Sequence, residues 1–368
     1  MDKLRKTLFI KGTLAASGYY RMSQIQQELK RLGYSTDIIM YTEIDPVTLL
    51  GYKNTGGSID AEPKPEDVID LKTFDIVIFQ MVFHEALNLV IDKLKKLGIT
   101  TVTEIDDDYT SLPESNPSFY SFHPRVKTMK EDDELIMRMV SKKYKLTAGR
   151  HGNPKYVVDR SKNTKVNFTL DNMFRAARNV DILQVSTPEL AESFSRFNSN
   201  IFVWENCIDN SIYDAVPTYT NNDGVVTMGW YGTKTHKEDI RLIDGCIPEN
   251  VQLIITGFPQ LEGEMFKYHT DIEFCPPFAL ENMPYIVKKH DFGVVPLVDC
   301  KFNAGKSDIK GLEFGAGGVP VIASDVAPYR RWIRHGENGF IARKTKHWIR
   351  YMQQLADDSD LRLALGAE

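Results

Sequence analysis

The stretch "KSDIKGLEFGAGGVPVIASD", residues 306–325, decides the fold. Its segment 319–323 ("VPVIA") is apolar and short, which is typical of a strand covered on both faces of a parallel sheet. The preceding "GAGG" favours a helix end and a tight turn, because glycine costs conformational entropy inside either element. Residues 307–314 read as a short helix whose start carries Lys306, Ser307 and Asp308. A helix start with a lysine beside it is a place to hold phosphate.

The same alternation of strand and helix patterns runs through most of the chain. The first series of strands is "KTLFIKG", "STDIIMY", "FDIVIFQ", "TTVTEIDDDY", "DILQVST" and "NIFVWEN", and the second is "VVTMGWYG", "VQLIITG", "DIEFCPP", "DFGVVPL" and "VPVIAS". Two such series predict an α/β fold with two Rossmann-like domains, each a parallel sheet with helices on both sides. We expect the domains to face each other across a cleft that holds the ligands.

The domain boundaries follow from changes in this rhythm. We predict a first domain over 1–208, a linker over 209–224, which is polar, turn-rich and broken by Pro217, and a second domain over 225–368. Within the first domain, residues of about 111–170 lose the alternation and predict an inserted helical and loop region. A chain of 368 residues is long enough for two domains.

Composition excludes several classes of protein. The chain is 42% hydrophobic and 26% charged with a formal net charge of −5, and it has no run of about 18 apolar residues that would span a membrane. The apolar part of the N-terminus is too short for a signal peptide. The cysteines (Cys207, Cys246, Cys275 and Cys300) stand alone without metal-ligand spacing. We therefore expect a cytoplasmic protein with reduced thiols.

Charge is concentrated in one segment. Residues 121–180 contain fourteen Lys and Arg against six Asp and Glu. The segment is either the solvated surface of a helical insertion or a surface for a polyanionic partner such as nucleic acid.

Residues 306–342 resemble the nucleotide-sugar half of the family-four retaining glycosyltransferases, which have the GT-B fold. The resemblance consists of a glutamate-bearing helix, a small-residue turn, a "G-x-P-V-I-A-S" strand and a later "G-x-N-G" turn. It extends back through "MGWYGTKTHKEDIRLI" and "LIITGFP", and more weakly to "SGYYRM" and "VSTPELAESF". It implies transfer of a sugar from a nucleotide-diphosphate sugar, most simply a UDP-sugar, with retention and without a metal or other cofactor.

The resemblance assigns donor-binding roles in the second domain. Glu313 would hold the ribose hydroxyls, and Lys306 and Ser307 the diphosphate. The position where the family usually has a further glutamate is Gly305, so Asp308 or cationic charge, with Lys310 on the same helix, would take its place. The loop "GWYGTKTHK" at 229–237 would add Gly232, Thr233, Lys234 and His236; alternatively, His236 caps its own helix.

The first domain offers acceptor-side and catalytic candidates. Gly18, Tyr19 and Arg21 follow the first strand and would face the ligand, although a surface ion pair is an alternative for Arg21. Asp106 and Asp107 follow a buried strand, and a carboxylate there would orient the acceptor hydroxyl or take its proton. His84, after the neighbouring strand, is a further candidate, which would contact the donor sugar or the acceptor. A helix cap and a structural histidine are the alternatives.

The run Asp106–Asp108 also fits the Asp-x-Asp metal site of single-sheet GT-A transferases, but the second strand–helix series has no place in that architecture.

The acceptor is either a saccharide or lipid-linked glycan, or a hydroxymethylated base in viral DNA, which the basic segment 121–180 would grip. A non-catalytic nucleotide-sugar or nucleic-acid binding protein and a sugar-nucleotide epimerase are alternatives. Release of nucleoside diphosphate distinguishes a transferase from a binding protein.

Overall fold

A computed structural model describes residues 5–53, 65–122, 127–128, 156–159, 164–167, 169–218, 224–257, 266–268 and 271–368. Contacts within it divide the chain into two units. The first comprises Met1–Glu114 with Ser118–Glu205, and the second Asn206–Glu368 with Ser115–Pro117. The stretch 209–224, expected as a linker, includes the helix Asn210–Asp214, whose Tyr213 is buried in a core cluster of the second unit.

Among its described residues, the first unit contains twelve strands. In chain order they are β1 (Thr7–Lys11), β2 (Thr36–Met40), β3 (Ile44–Asp45), β4 (Leu50–Tyr52), β5 (Val68–Asp70), β6 (Ile76–Gln80), β7 (Thr100–Ile105), β8 (Lys127–Thr128), β9 (Tyr156–Asp159), β10 (Thr164–Asn167), β11 (Ile182–Val185) and β12 (Ile201–Val203). The main sheet is parallel and has the order β12-β11-β7-β6-β1-β2. Its strands are the ones that the sequence predicted.

Helices connect these strands. They are Ala16–Gly18, continued by a π-helical turn at Tyr19–Ser23 and by Gln24–Arg31, then Glu85–Lys96, Phe119–Phe122, Thr169–Asn179 and Pro188–Phe194. Local signals set their ends. Gly33 follows Gln24–Arg31 with a φ of +90°, and the Thr187 side chain accepts a hydrogen bond from the Leu190 amide at the start of Pro188–Phe194.

The first unit also contains two small antiparallel sheets that the sequence did not predict. One has the order β3-β4-β5 and the other β8-β10-β9. The second falls inside 111–170, so the expectation of a helical and loop insertion is wrong for these strands, whose sequences contain the β-branched residues that favour strands. Most of the basic segment 121–180 lies outside the described residues.

The second unit repeats the architecture. Its strands β13 (Val226–Tyr231), β14 (Val251–Thr256), β15 (Ile272–Cys275), β16 (Phe292–Val295), β17 (Val321–Ser324) and β18 (Gly339–Ala342) form a parallel sheet of order β15-β14-β13-β16-β17-β18. The short β18, with "GFIA", was not predicted. The helices are Asn210–Asp214, Lys237–Ile240, Met283–Val287, Lys301–Ala304, Ile309–Ala316, Ala327–Arg330, Thr345–Asp357 and Ser359–Gly366.

Each unit has its own apolar core, with a cluster of buried side chains on each side of its sheet. Within the described ranges, no helix is both long and apolar enough to cross a membrane. The predicted α/β fold with two parallel sheets is confirmed, and each of these sheets has six strands.

Two glycines of the helix Ile309–Ala316 provide a matched test of its packing. A Cβ added at Gly311 would lie 2.4 Å from Cζ2 of Trp332, whereas one added at Gly315 would meet only Trp332 Cζ3, at 4.0 Å. We expect Gly311→Ala to lower the free energy of unfolding by about 1–3 kcal/mol through overpacking. Gly315→Ala should leave it unchanged or raise it by up to about 1 kcal/mol, because alanine favours the helix. Urea unfolding of both variants measures the difference, and equal effects would contradict this packing.

Candidate functional site

The strand order of the second unit locates its site. The strands β13 and β16 are neighbours although β14 and β15 lie between them in the chain. In open α/β sheets, ligands bind where the strand order reverses, beyond the carboxyl ends of the strands. The turn Lys234–His236 follows β13, and the helices Lys301–Ala304 and Ile309–Ala316 follow β16. Most of the predicted donor-binding residues therefore come from these two connections.

Lys310 lies at the centre of these residues. Its Nζ lies 5.2 Å from the centroid of the Trp230 ring, in a cation–π contact. A Cβ added at Gly232 would lie 3.2 Å from the same Nζ, so the glycine leaves room for the ammonium group. Burial lowers the pKa of Lys310 to about 8; Asp239 and Glu313 oppose the shift, while Lys306 adds to it.

Glu313 is buried rather than directed to solvent, with 2% of its surface exposed. The hydroxyl of Tyr231 donates a hydrogen bond to its Oε2 and lies 3.1 Å from the carbonyl oxygen of Lys310. Tyr231, which the sequence analysis did not single out, thus orients this carboxylate.

His236 forms a pair with Asp239, one helical turn later in the chain. The His236 Nδ1 lies 2.8 Å from Oδ2 of Asp239. The other carboxylate oxygen of Asp239 accepts hydrogen bonds from the Val298 amide at 2.8 Å and from Asn303 Nδ2 at 2.9 Å. Burial alone would raise the pKa of Asp239, but these hydrogen bonds, the one with His236 foremost, lower it. Neither Asp239 nor Asn303 was predicted from the sequence.

The loop that leads into the helix Ile309–Ala316 contains Lys306, Ser307 and Asp308. Lys306 Nζ lies 4.3 Å from the centroid of the Phe302 ring, and Ser307 Oγ accepts a hydrogen bond from Asn206 Nδ2 at 2.8 Å. Asp308 is the N-cap residue of the helix, although its side chain makes no capping hydrogen bond. Gly305, where the resembled family has a glutamate, is buried.

Thr233 and Lys234 lie on the exposed part of the turn that leads to His236. The Thr233 and Thr235 hydroxyl oxygens are 2.8 Å apart. The structure therefore brings His236, Gly232, Lys310, Glu313 and Lys306 into one cluster. Thr233 and Lys234 lie at the edge of this cluster.

A pocket of about 350 Å³ lies on another face of the helix Ile309–Ala316. Its lining combines the segment after β12 with the helix and one indole: Asn206, Cys207, Ile208, Asn210, Leu312, Gly315, Ala316 and Trp332. It contains none of the predicted donor-binding residues.

In the first unit, Arg21 occupies a different position from the one expected. It is 1% exposed, and its Nε donates a hydrogen bond to Glu104 Oε1 at 2.7 Å. Its Nη1 donates to the carbonyl oxygen of Trp204 at 2.5 Å. Arg21 thus ties the first helical segment to β7 and to the end of β12. Its ion pair with Glu104 is buried and structural, not on the surface.

Glu104 is fully buried in β7, beside Gln80 of β6 in the parallel register. Burial raises the pKa of Glu104 to about 8; Arg21 opposes the shift, and the nearby charges of Asp106 and Asp107 add to it. A charged residue inside an otherwise uncharged, buried strand was the sequence signal that could have revealed this pair.

The glycines of the first loop approach the protein's own backbone. A Cβ at Gly18 would lie 2.0 Å from the Thr13 carbonyl oxygen, and one at Gly12 would lie 2.7 Å from that of Gln80. Gly18 is therefore required where the helix Ala16–Gly18 packs closely on the backbone at Thr13. Tyr19, which is partly exposed, begins the π-helical turn and packs edge-on against Tyr20 at a centroid distance of 5.1 Å.

The catalytic candidates lie in loops at the carboxyl ends of β6 and β7. Asp106 Oδ1 accepts a hydrogen bond from the Tyr109 hydroxyl at 3.0 Å, and Asp108 caps the next turn by accepting from the Thr110 amide at 3.1 Å. The cap that we considered for the run of aspartates is thus Asp108. Asp107 is partly exposed.

His84 stacks on Tyr41 with their ring centroids 5.4 Å apart. It follows Met81, a bulky residue held at a φ of +54°, which is strained for a side chain of this size. Among the residues that the structure describes, no group of three or more His, Cys, Asp or Glu side chains is arranged to hold a metal ion.

A comparison with known protein families finds a match within the second unit. A family model described as Glycosyl transferases group 1 matches residues 230–358, which contain the cluster around Lys310. A search of curated protein sequences found no match.

Solved structures resemble the chain along nearly its whole length. Sucrose-phosphate synthase from Thermosynechococcus elongatus is 14% identical with a TM-score of 0.58, the alignment covering 98% of this chain and 92% of that one. The catalytic domain of starch synthase IV from Arabidopsis thaliana, bound to ADP and acarbose, is 11% identical with a TM-score of 0.57 and coverage of 99% and 95%. Anabaena HepE, in complex with UDP and glucose, is 12% identical with a TM-score of 0.53 and coverage of 99% and 93%. The chain has the GT-B fold of glycosyltransferases, as predicted.

Two arginines of the first helical segment test the role of the buried pair. Arg21→Met removes the hydrogen bonds to the buried Glu104 side chain and to the Trp204 carbonyl oxygen, and should destabilise the first unit by about 1–3 kcal/mol. Arg31 also pairs with a glutamate, Glu28, but both are exposed, so Arg31→Met should change the unfolding free energy by less than about 0.5 kcal/mol. Urea unfolding measures both. If Arg21→Met were as stable as Arg31→Met, the ion pair would not hold the first unit together.

Proposed function

We propose that the protein is a retaining glycosyltransferase that moves a sugar from a nucleotide-diphosphate sugar to an acceptor hydroxyl. The observation that carries the proposal is the cluster of Lys310, Lys306, His236 and Glu313 beyond the carboxyl ends of β13 and β16. It lies inside the segment that matches the glycosyltransferase family model. The similar structures of HepE and starch synthase IV contain UDP and ADP, which supports a nucleotide donor here.

Each residue of the cluster has a chemical role in this proposal. The ammonium groups of Lys306 and Lys310 stabilise the charge that develops on the leaving diphosphate. Ser307, Asp308 and the exposed Thr233 and Lys234 complete the diphosphate and sugar contacts. The Glu313 carboxylate, oriented by Tyr231, accepts hydrogen bonds from the ribose hydroxyls.

Retention of configuration is the mechanistic part of the proposal and rests on the resemblance at 306–342. With Gly305 in place of a carboxylate, stabilisation of the leaving group depends on cationic charge, without a metal ion or other cofactor. In the first unit, Asp106, Asp107 and His84 are the candidates for orienting the acceptor hydroxyl or taking its proton. Nuclear magnetic resonance of the product's anomeric proton distinguishes retention from inversion.

We propose a saccharide or lipid-linked glycan as the acceptor, with hydroxymethylated DNA as the second candidate because of the fourteen basic residues in 121–180. A polyanionic acceptor would bind more weakly as salt rises. The dependence of activity on added DNA separates the two acceptors.

The test is release of nucleoside diphosphate from UDP-, ADP-, GDP- and dTDP-sugars, with and without hydroxymethylated DNA. Glu313→Ala removes the ribose contact and should reduce kcat/KM by about tenfold to a hundredfold or more, the loss of one charged hydrogen bond. Glu337→Ala is the matched control, because Glu337 is an exposed glutamate of the same unit that pairs with Arg334. It should retain the activity of the unchanged protein.

The outcomes separate the alternatives. Binding of a nucleotide sugar without release of diphosphate in the presence of any acceptor would favour a binding protein. Conversion of the donor sugar without an acceptor would favour an epimerase. Equal loss of activity in Glu313→Ala and Glu337→Ala would contradict the assignment of the donor site.

A further inference from the structure

The His236–Asp239 pair has a defined proton arrangement. Asp239 has a lowered pKa and is therefore a carboxylate, which only accepts hydrogen bonds. Its Oδ2 lies 2.8 Å from His236 Nδ1, so Nδ1 carries the proton and donates. In the neutral ring, Nε2 then carries a lone pair and only accepts.

The surroundings of His236 are cationic. Lys310, on the helix Ile309–Ala316, and Lys306, in the loop before it, both act on His236, and Asp239 on its own helix is the anion that opposes them. The ring of Trp230 packs edge-on against the imidazole at a centroid distance of 6.4 Å. Burial, with the charge of Lys310, lowers the pKa of His236 to about 3, so that the ring is neutral in the unliganded protein.

A neutral ring of this tautomer is mismatched to the proposed ligand. A diphosphate that neutralised Lys306 and Lys310 would also meet His236, whose side chain is 15% exposed. The lone pair on Nε2 would repel a phosphate oxygen, because both atoms are acceptors. A proton on Nε2 turns the repulsion into a charge-assisted hydrogen bond.

We propose that Asp239 is a positioning residue that fixes the His236 ring with Nε2 towards the donor diphosphate, and that His236 takes up one proton from solvent when the donor binds. This inference rests on the proposed function. The proton comes from bulk water or buffer and is bound at Nε2, while the Nδ1 proton stays in the hydrogen bond to Asp239. No covalent bond is formed or broken.

The direction of the pH effect follows from linkage. Binding raises the pKa of His236, so the complex holds a proton that the unliganded protein lacks between the two pKa values. Donor affinity must then fall as pH rises from the pKa of His236 in the unliganded protein to its pKa in the complex, by up to about tenfold per pH unit, and level off above the latter. Lys310, with a pKa of about 8, stays charged throughout the acidic range. Its own titration therefore changes the pH dependence of donor affinity only above that range.

The experiment is calorimetric titration with UDP-glucose at about pH 5.5, where a neutral His236 and a charged Lys310 are expected in the unliganded protein. A nucleotide sugar suits the purpose, because its diphosphate is a diester without a proton that titrates in this range. Measuring in two buffers of different ionisation enthalpy gives the number of protons exchanged. We expect uptake approaching about one proton per bound ligand.

Two variants isolate the pair. His236→Gln cannot titrate and should bind with no proton uptake, and about tenfold to a hundredfold more weakly. Asp239→Asn can retain the hydrogen bonds from Val298 and Asn303 through Oδ1, while its amide donates to Nδ1 and moves the ring proton to Nε2. It should therefore bind the ligand without proton uptake, an effect that a purely structural role would not produce.

His347→Gln is the matched control, since His347 is a partly exposed histidine of the same unit whose Nδ1 accepts from the Arg343 amide. It should show the same proton uptake as the unchanged protein. Thermal unfolding identifies any variant that fails to fold.

Binding with no proton uptake in the unchanged protein overturns this inference and leaves the proposed function standing. In that case His236 would act as a neutral acceptor, for instance for a sugar hydroxyl. Full uptake in His236→Gln also overturns it, because another group would then carry the proton. Failure of every nucleotide sugar to bind would instead remove the proposed function itself.

Discussion

The carboxylate of Asp239 is the interaction on which the second unit's cluster depends. It holds together the turn after β13, through His236, and the connection after β16, through Val298 and Asn303. These two connections flank the reversal of strand order but are about sixty residues apart in the chain. The pairing of β13 with β16 fixes where the two connections begin, and the shared acceptor joins the connections beyond the strands. Lys310, which lies over the Trp230 ring, has a lowered pKa. The carboxylate of Asp239 partly balances the charge of this buried lysine.

The first unit uses a buried charge for a different purpose. Arg21 and Glu104 join a helix to the middle of the sheet, and Arg21 reaches the carbonyl group of Trp204 at the end of β12. A buried ion pair is a poor source of net stability, but the loss of one partner is costly. The pair therefore acts as a structural constraint beneath the loops that carry His84, Asp106 and Asp107.

The strands of both main sheets were predictable because buried parallel strands are short apolar runs between helical patterns. β18 was missed, since "GFIA" is short and follows directly on a turn sequence. Residues of the Lys310 cluster could be singled out from the sequence only where they belong to a local motif, as at 306–313. The contacts of Asp239 with Asn303 and of Arg21 with Glu104 join residues 64 and 83 positions apart, and such pairs depend on strand order and on the packing of particular helices. Gly18 was expected to face a ligand, but its lack of a side chain makes room for the carbonyl oxygen of Thr13.

Every residue of the Lys310 cluster comes from one continuous part of the chain, from Trp230 to Glu313. The core that supports this part is separate from that of the first unit. Recombination between genes that encode this fold could therefore exchange the first unit and carry the cluster over intact. In the proposed glycosyltransferase, the donor-binding and acceptor-binding units would then be free to diversify at different rates over evolutionary time.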